Sequence, residues 1–197
     1  MQSGDRQNEM GARVHGPGMS WDLQRPFQVF ADESEVGGFS IFVVMIRPSD
    51  VDVARRFLRR RLRRGQRSIH FAKERNEVRR AVLVGMEQYD LAVRAYRTRV
   101  KGVQGRRLCL RGVAQDLAET ACTRLVLDRN DPAVKSDNQI LRNGLGTSWG
   151  GTYDHLHDHE EILLSFADGI AWAWHRGGPW RLAVEQLDFT MIEVQPA

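Results

Sequence analysis

Three aspartates stand where a folded chain could bring carboxylates together. Asp32 follows the apolar residues 27–31, Asp128 follows residues 123–127, and Asp168 lies among small residues in an apolar helical segment. Acids that leave neighbouring strands at one edge of a sheet converge, and small residues let a helix approach that sheet closely. Magnesium prefers carboxylate oxygens as ligands. These acids therefore indicate either a magnesium site or solvated caps at strand ends.

Alternating strand-like and helix-like segments would position these acids. We expect strands at residues 27–31, 39–46, 91–100, 123–127 and 181–194, the last as one strand or two. Helical spacing of apolar residues predicts helices at residues 49–65, 76–88, 105–122, 135–145 and 160–175. Because the two kinds of segment alternate, a layered α/β domain is expected.

Length and composition set the remaining bounds. The 197 residues, 42% of them hydrophobic, suit one domain at residues 25–197, preceded by a polar, glycine-rich tail at residues 1–24 that we expect to be disordered. No apolar run reaches the roughly 18 residues of a membrane span, and the first ten residues are too polar for a secretory signal. Two cysteines, Cys109 and Cys122, are too few for a disulfide framework. A cytoplasmic protein with no membrane partner is expected.

Four motifs follow one another along the chain: Phe-Ala-Asp-Glu-Ser at 30–34, Ile-His-Phe at 69–71, Leu-Val-Leu-Asp at 125–128, and Leu-Leu-Ser-Phe-Ala-Asp-Gly-Ile-Ala at 163–171. Their order and spacing resemble the domain-of-unknown-function 3800 family over about residues 27–175. The resemblance implies a ribonuclease-H-like fold, an α/β domain with a mixed central sheet flanked by helices. Two departures are Glu35, where the family has glycine, and Phe166, where it has an aliphatic residue.

The resemblance also implies roles for individual residues. Asp32 matches the central metal ligand, and Glu33 a second acid at the rim of the site. Asp128 and Asp168 match the acids that complete a carboxylate set for two Mg²⁺ or Mn²⁺ ions. His70 matches the histidine of the family, which implies a substrate phosphate contact or a proton shuttle. A packed structural histidine is the alternative for His70.

Arginine dominates the basic residues. Lys and Arg total 29 against 25 Asp and Glu, a net charge of +4, and only three of these basic residues are lysines. Eight arginines fall within residues 55–67, on a segment expected to be helical. Arginine grips phosphate bidentately, so this segment is expected to bind a nucleic-acid backbone. Genomic base composition and a solvated helix face are the alternatives. The residues proposed to contact nucleic acid are Arg55, Arg56, Arg59, Arg60, Arg63, Arg64 and Arg67.

Two further patterns have competing interpretations. His155, His157 and His159 at two-residue steps resemble a metallo-hydrolase signature that lacks one residue, and the alternative is the polar start of a helix. Four tryptophans could stack on bases, as aromatic residues do in single-strand binders, and the alternative for Trp174 is a place in the core. They are Trp149, Trp172, Trp174 and Trp180.

Together these patterns favour a divalent-metal-dependent hydrolase of nucleic-acid phosphodiesters, with RNA or DNA as substrate. The alternative is a non-catalytic module that binds nucleic acid or protein through the arginine-rich segment. A phosphotransfer or toxin-like role is a third possibility that the family resemblance allows.

Overall fold

Strands and helices alternate along residues 21–196, the part of the chain that the computed structural model describes. The strands are β1 (Phe27–Ser34), β2 (Phe39–Ile46), β3 (Leu91–Thr98), β4 (Cys122–Asp128), β5 (Thr152–Leu156) and β6 (Asp188–Glu193). The helices are α1 (Pro48–Arg59), α2 (Asn76–Met86), α3 (Gly102–Ala118), α4 (Val134–Leu145), α5 (Leu164–Arg176) and α6 (Gly178–Glu185), and Phe71–Lys73 forms a 3₁₀ turn.

The strands form one mixed sheet in the order β5-β4-β1-β2-β3-β6. β2 is antiparallel to both of its neighbours, whereas the other pairs are parallel, so β2 alone runs against the other five strands. The carboxyl ends of β1, β4 and β5 therefore lie side by side at one edge. The expected α/β domain with a mixed sheet flanked by helices is confirmed.

Two apolar layers cover the sheet. Alternate residues of the central strands pack on one face with α1, α2, α5 and α6, and on the other face with α3 and α4. All eight residues of β2 are buried, as expected for a strand covered on both faces. The period of two along β1 then decides which layer each of its side chains enters.

Several segments differ from the sequence-based expectation. Residues 152–156, expected to lie between helices, form the edge strand β5. The final strand segment divides into α6 and β6, because Pro179 in the first turn starts a helix as well as ending α5. Cys122, expected at the end of a helix, begins β4.

The folded domain begins before residue 25, its expected first residue. Residues 1–20 of the tail that was expected to be disordered lie outside the described residues. Trp21 and Leu23 pack against the apolar layer beneath α3, and the Trp21 indole donates to Asp90 at 2.7 Å. Among the described residues, no helix is long and apolar enough to cross a membrane.

Candidate functional site

Asp32 and Asp128 lie side by side at the carboxyl edge of the sheet. β1 and β4 are parallel neighbours, and their register pairs Ala31 with Leu127, so the next residue of each strand is an aspartate. Asp32 and Phe30 share the face that α5 covers. The structure therefore places these two acids side by side near the carboxyl ends of adjacent strands, as the sequence predicts.

Asp168 reaches the same edge from the second turn of α5. Its Oδ2 accepts a hydrogen bond from the Phe71 backbone N–H at 2.8 Å, which ties the helix to the 3₁₀ turn. Gly169 makes this approach possible, because a Cβ there would lie 2.5 Å from Cζ of Phe71. The small residues beside Asp168 thus permit the close helix contact that their sequence predicts.

One cavity of about 80 Å³ collects these side chains. Asp32, Asp128, Asp168 and His70, all expected at the site, line it. Its remaining polar lining consists of Asp158 and Ser165, and Ile69 and Leu164 supply apolar wall. We call this space the acid cavity.

Burial and mutual repulsion disfavour ionised carboxylates in the acid cavity. Burial raises the pKa of Asp32 well above its ordinary value, and the charges of Asp168, Asp128 and Asp158 raise it further, against the opposing effect of Arg106. Burial likewise raises the pKa of Asp128 and of Asp168. Perturbed carboxyl groups gathered in one cavity are typical of functional sites.

Asp158 was not predicted from the sequence as a residue of the site. It lies two residues beyond Leu156, the last residue of β5, which pairs with Asp128 of β4, so the chain after β5 brings it to the same edge of the sheet. Its Oδ2 lies 2.8 Å from Nε2 of His70, whose side chain is 52% exposed at the cavity mouth. His70 is therefore not a packed core histidine. A third strand followed by an acid would have indicated Asp158 in the sequence. The polar residues of β5 hid that strand.

Ser165 is the second residue that the sequence did not single out. The residue is 1% exposed, and its Oγ makes no hydrogen bond to any of residues 21–196. A buried hydroxyl without a partner costs about 1–3 kcal/mol. A bound water or another polar ligand is one way to satisfy such a group.

The carboxylates do not form a preassembled metal centre. Within residues 21–196, no three His, Cys, Asp or Glu side chains are arranged to hold a metal ion. The donor chemistry fits a hard divalent cation all the same, since four carboxylates and an unpaired hydroxyl face one small space. Like charges repel, so carboxylates without a cation between them are expected to stand apart.

Glu33, expected at the rim of the site, lies on the opposite face of the sheet. Consecutive strand residues point to opposite faces, so Glu33 turns toward α3 and α4. There it pairs with Arg106 and accepts a hydrogen bond from Asn130 at 3.1 Å. Arg106 also binds Asp137 on α4 through three hydrogen bonds. Glu33 thus belongs to a buried ion network and not to the acid cavity.

The arginine-rich segment is only partly helical. α1 ends at Arg59, so residues 60–67 form a loop that leads directly to Ser68 and the cavity residue His70. The expected helix through residue 65 stops earlier, and its buried face is Val51, Ala54 and Leu58.

Not all of these arginines are available to a ligand. Arg55 binds Glu161 and Asp52, and Arg63 lies 3.4 Å from Glu74. Arg61 lies over the Phe57 ring at 3.5 Å. The other five are exposed and form no ion pair with described residues; they are Arg56, Arg59, Arg60, Arg64 and Arg67.

The histidine cluster divides between the two faces of the sheet. His155 approaches Asp137, with its Nε2 3.5 Å from Oδ2, on the side of the ion network. His157 and His159 stack on each other, and His159 Nδ1 lies 3.6 Å from Asp158. The three histidines therefore do not converge on one ion.

The four tryptophans are partly buried against the apolar layers. Trp149 packs on the α3 side, whereas Trp172, Trp174 and Trp180 pack on the α5 side. Trp172 and Trp180 meet edge to face at 5.1 Å, and Trp174 stacks on Phe189 at 4.5 Å. Their packing role is evident from these contacts.

Comparison with known proteins assigns no relative. No protein-family model matches this chain, and no curated protein matches its sequence.

Proposed function

We propose that this protein is a divalent-metal-dependent hydrolase of nucleic-acid phosphodiesters. One observation carries the proposal: Asp32, Asp128 and Asp168, which come from two strands and a helix, line a single cavity with His70. We further propose that the fold is ribonuclease-H-like and that the chain belongs to the domain-of-unknown-function 3800 family. The motif order and the mixed sheet between helix layers support this assignment.

Asp32, Asp128 and Asp168 would hold Mg²⁺ or Mn²⁺, with Asp158 as a further carboxylate. Bound in a pair, such cations activate water and stabilise the leaving oxygen of a phosphodiester. The anionic cavity attracts cations and concentrates them at the sheet edge. Burial limits the competition of bulk water for the carboxylates.

His70 is placed to act beside these acids. Its Nε2 faces Asp158 at 2.8 Å, and a carboxylate partner fixes the orientation of an imidazole. Half of its side chain remains exposed, so the ring can contact a phosphate or move a proton at the cavity mouth. Both roles suit the position of His70 between the acids and the arginine-rich loop.

Metal binding is the first test. Titration of the full chain with Mn²⁺, followed by calorimetry, is expected to give a saturable isotherm that the Asp168→Asn variant weakens more than 10-fold. Outer-shell groups alone contribute 10–100-fold to metal affinity, and a ligand contributes at least as much. Asp131→Asn is the matched control, because Asp131 is exposed and pairs with Arg129. Equal isotherms for the two variants would reject Asp168 as a ligand.

A nucleic-acid partner predicts a dependence on the exposed arginines. Replacing Arg59, Arg60 and Arg64 by glutamine is expected to weaken binding of a fluorescent oligonucleotide. The slope of log affinity against log salt should become shallower by roughly 2 to 3, because each phosphate that an arginine no longer neutralises changes this slope by about 0.7–0.9. Filter binding or anisotropy across a salt series measures both quantities.

The matched control removes the same charge elsewhere. Arg107, Arg111 and Arg142 are exposed on α3 and α4, on the other side of the sheet. Their replacement by glutamine is expected to change the salt slope little. If both triple variants lose affinity equally, net charge and not the segment at residues 55–67 drives binding.

Two observations favour the non-catalytic alternative. Within residues 21–196, no three His, Cys, Asp or Glu side chains are arranged to hold a metal ion. Five arginines of residues 55–67 are exposed. Oligonucleotide binding that ignores Mn²⁺, together with no cleavage of RNA or DNA, would select this alternative.

A further inference from the structure

Ser165 lines the acid cavity, and its hydroxyl has no hydrogen-bond partner in residues 21–196. The residue is 1% exposed. It lies in the first turn of α5, one helical turn before Asp168. Ser165 therefore belongs to the wall that α5 supplies to the cavity of the four carboxylates.

A serine in this helical position ordinarily satisfies itself. Serine hydroxyls near helix starts commonly bond to backbone groups one turn earlier. Ser136, in the first turn of α4, does so, since its Oγ donates to the Ala133 carbonyl at 3.0 Å. The equivalent carbonyl for Ser165 is that of Ile162, which accepts the Ser165 backbone N–H at 3.0 Å. The Ser165 hydroxyl is thus turned away from the bond that Ser136 makes.

The surroundings restrict what the hydroxyl can bind. Four carboxylates repel an anion, so a free phosphate is disfavoured in the cavity. The space of about 80 Å³ accommodates a small hydrated species, because one water molecule occupies about 30 Å³ in the liquid. A water that accompanies a cation satisfies both the carboxylates and the hydroxyl.

We propose that Ser165 is a positioning residue whose hydroxyl bonds to a water molecule that accompanies a divalent cation into the acid cavity. This inference rests on the proposed metal-dependent function and adds a residue to its site. The hydroxyl fixes that water against the carboxylates and so strengthens cation binding without touching the ion. Outer-shell groups of this kind contribute 10–100-fold to metal affinity.

The test compares Ser165→Ala with Ser136→Ala in the full chain, with Mn²⁺ alone as the probe. Calorimetry is expected to show about 10-fold weaker Mn²⁺ binding for Ser165→Ala and wild-type binding for Ser136→Ala. Without metal, the thermal midpoint of Ser165→Ala should equal or exceed that of the wild type, because the substitution removes no bond within the protein. Ser136→Ala should lower the midpoint, because it removes the bond to Ala133.

The outcomes separate this inference from the proposed function. Equal Mn²⁺ affinity of Ser165→Ala and wild type would overturn the role of Ser165 and leave the metal site intact. A lower midpoint for metal-free Ser165→Ala would also overturn it, since the hydroxyl would then have a partner in the protein. Failure of the wild type to bind Mn²⁺ would overturn the proposed function and this inference together.

Discussion

The Asp32→Asn variant is expected to be more stable than the wild type without metal, yet to lose metal-dependent cleavage. Asp32 is buried among Asp168, Asp128 and Asp158, and burial first, then these charges, raise its pKa. Asparagine removes one repelling charge and keeps a side-chain oxygen for the Glu33 N–H, which Asp32 Oδ1 accepts at 2.7 Å. We expect the thermal midpoint to rise by about 2–4 °C, equivalent to roughly 1 kcal/mol for a chain of this size.

The gain should depend on pH in a defined direction. A carboxyl group with a raised pKa binds its proton more tightly in the folded state than in the unfolded chain. Ionisation of Asp32 therefore costs stability as pH rises above the unfolded pKa of about 3.9. The advantage of Asp32→Asn should be near zero at pH 4 and grow toward neutral pH. Thermal melts from pH 4 to 8 in the presence of a chelator measure it.

The same variant should cleave nucleic acid more than about 100-fold more slowly, since even outer-shell groups contribute 10–100-fold to metal sites. Mn²⁺ should also stabilise it less than the wild type. Asp131→Asn, which changes an exposed aspartate paired with Arg129, should alter neither property. Wild-type cleavage by Asp32→Asn would remove the mechanism, and a pH-independent loss of stability would show that its charge is not repelled.

The sequence predicted three of the four acids of the cavity, because their positions follow from simple geometry. β4 ends in Asp128, β1 carries Asp32 two residues before its end, and parallel neighbours bring their carboxyl ends to one edge. Asp168 was detectable because small residues flank it in an apolar helix. Each signal is local, so no tertiary information was needed to find these three residues.

Other members of the site depend on contacts that a sequence pattern does not contain. β5 is an edge strand with half-exposed polar residues, so it has no apolar alternation to reveal Asp158 behind it. Ser165 stands out only because its hydroxyl lacks a partner among the described residues, a property of packing and not of residue type.

For Glu33 and the arginine-rich segment, a correct local pattern was applied to residues that it does not cover. The period of two in β1 already separates Glu33 from Asp32, although the motif treats them as a pair. The apolar spacing of Val53, Phe57 or Leu58, and Leu62 predicted a helix through residue 65. Leu58 is buried as expected, whereas Val53 is 45% exposed and the buried face is completed by Val51 and Ala54. Clustered like charges beyond Arg59 disfavour continued helix, since each repels its neighbours one turn away.

The ion network behind the sheet gives the largest expected effect on stability. Arg106 is 6% exposed and Asp137 is fully buried, and three hydrogen bonds join them. Burial acts to raise the pKa of Asp137, yet the nearby His155 and the hydrogen-bonded Arg106 outweigh it and hold this pKa below its ordinary value. The stabilisation from ionised Asp137 is thus present above the unfolded pKa of about 3.9 and lost as pH falls through the lower folded pKa.

Arg106→Met is therefore expected to destabilise the protein by about 3–5 kcal/mol in urea denaturation at pH 7, because it leaves buried carboxylates without a cation. Arg107→Met is the matched control, since Arg107 is the exposed next residue of α3 and should cost no more than about 0.5 kcal/mol. The double variant Arg106→Met with Asp137→Leu should recover part of the stability, because the unpaired carboxylate of Asp137 is then absent. Equal destabilisation by Arg106→Met and Arg107→Met would show that the network contributes nothing beyond surface charge.

Arg106 also lowers the pKa of Asp32, so its removal should disfavour ionised Asp32 and weaken Mn²⁺ binding across the sheet.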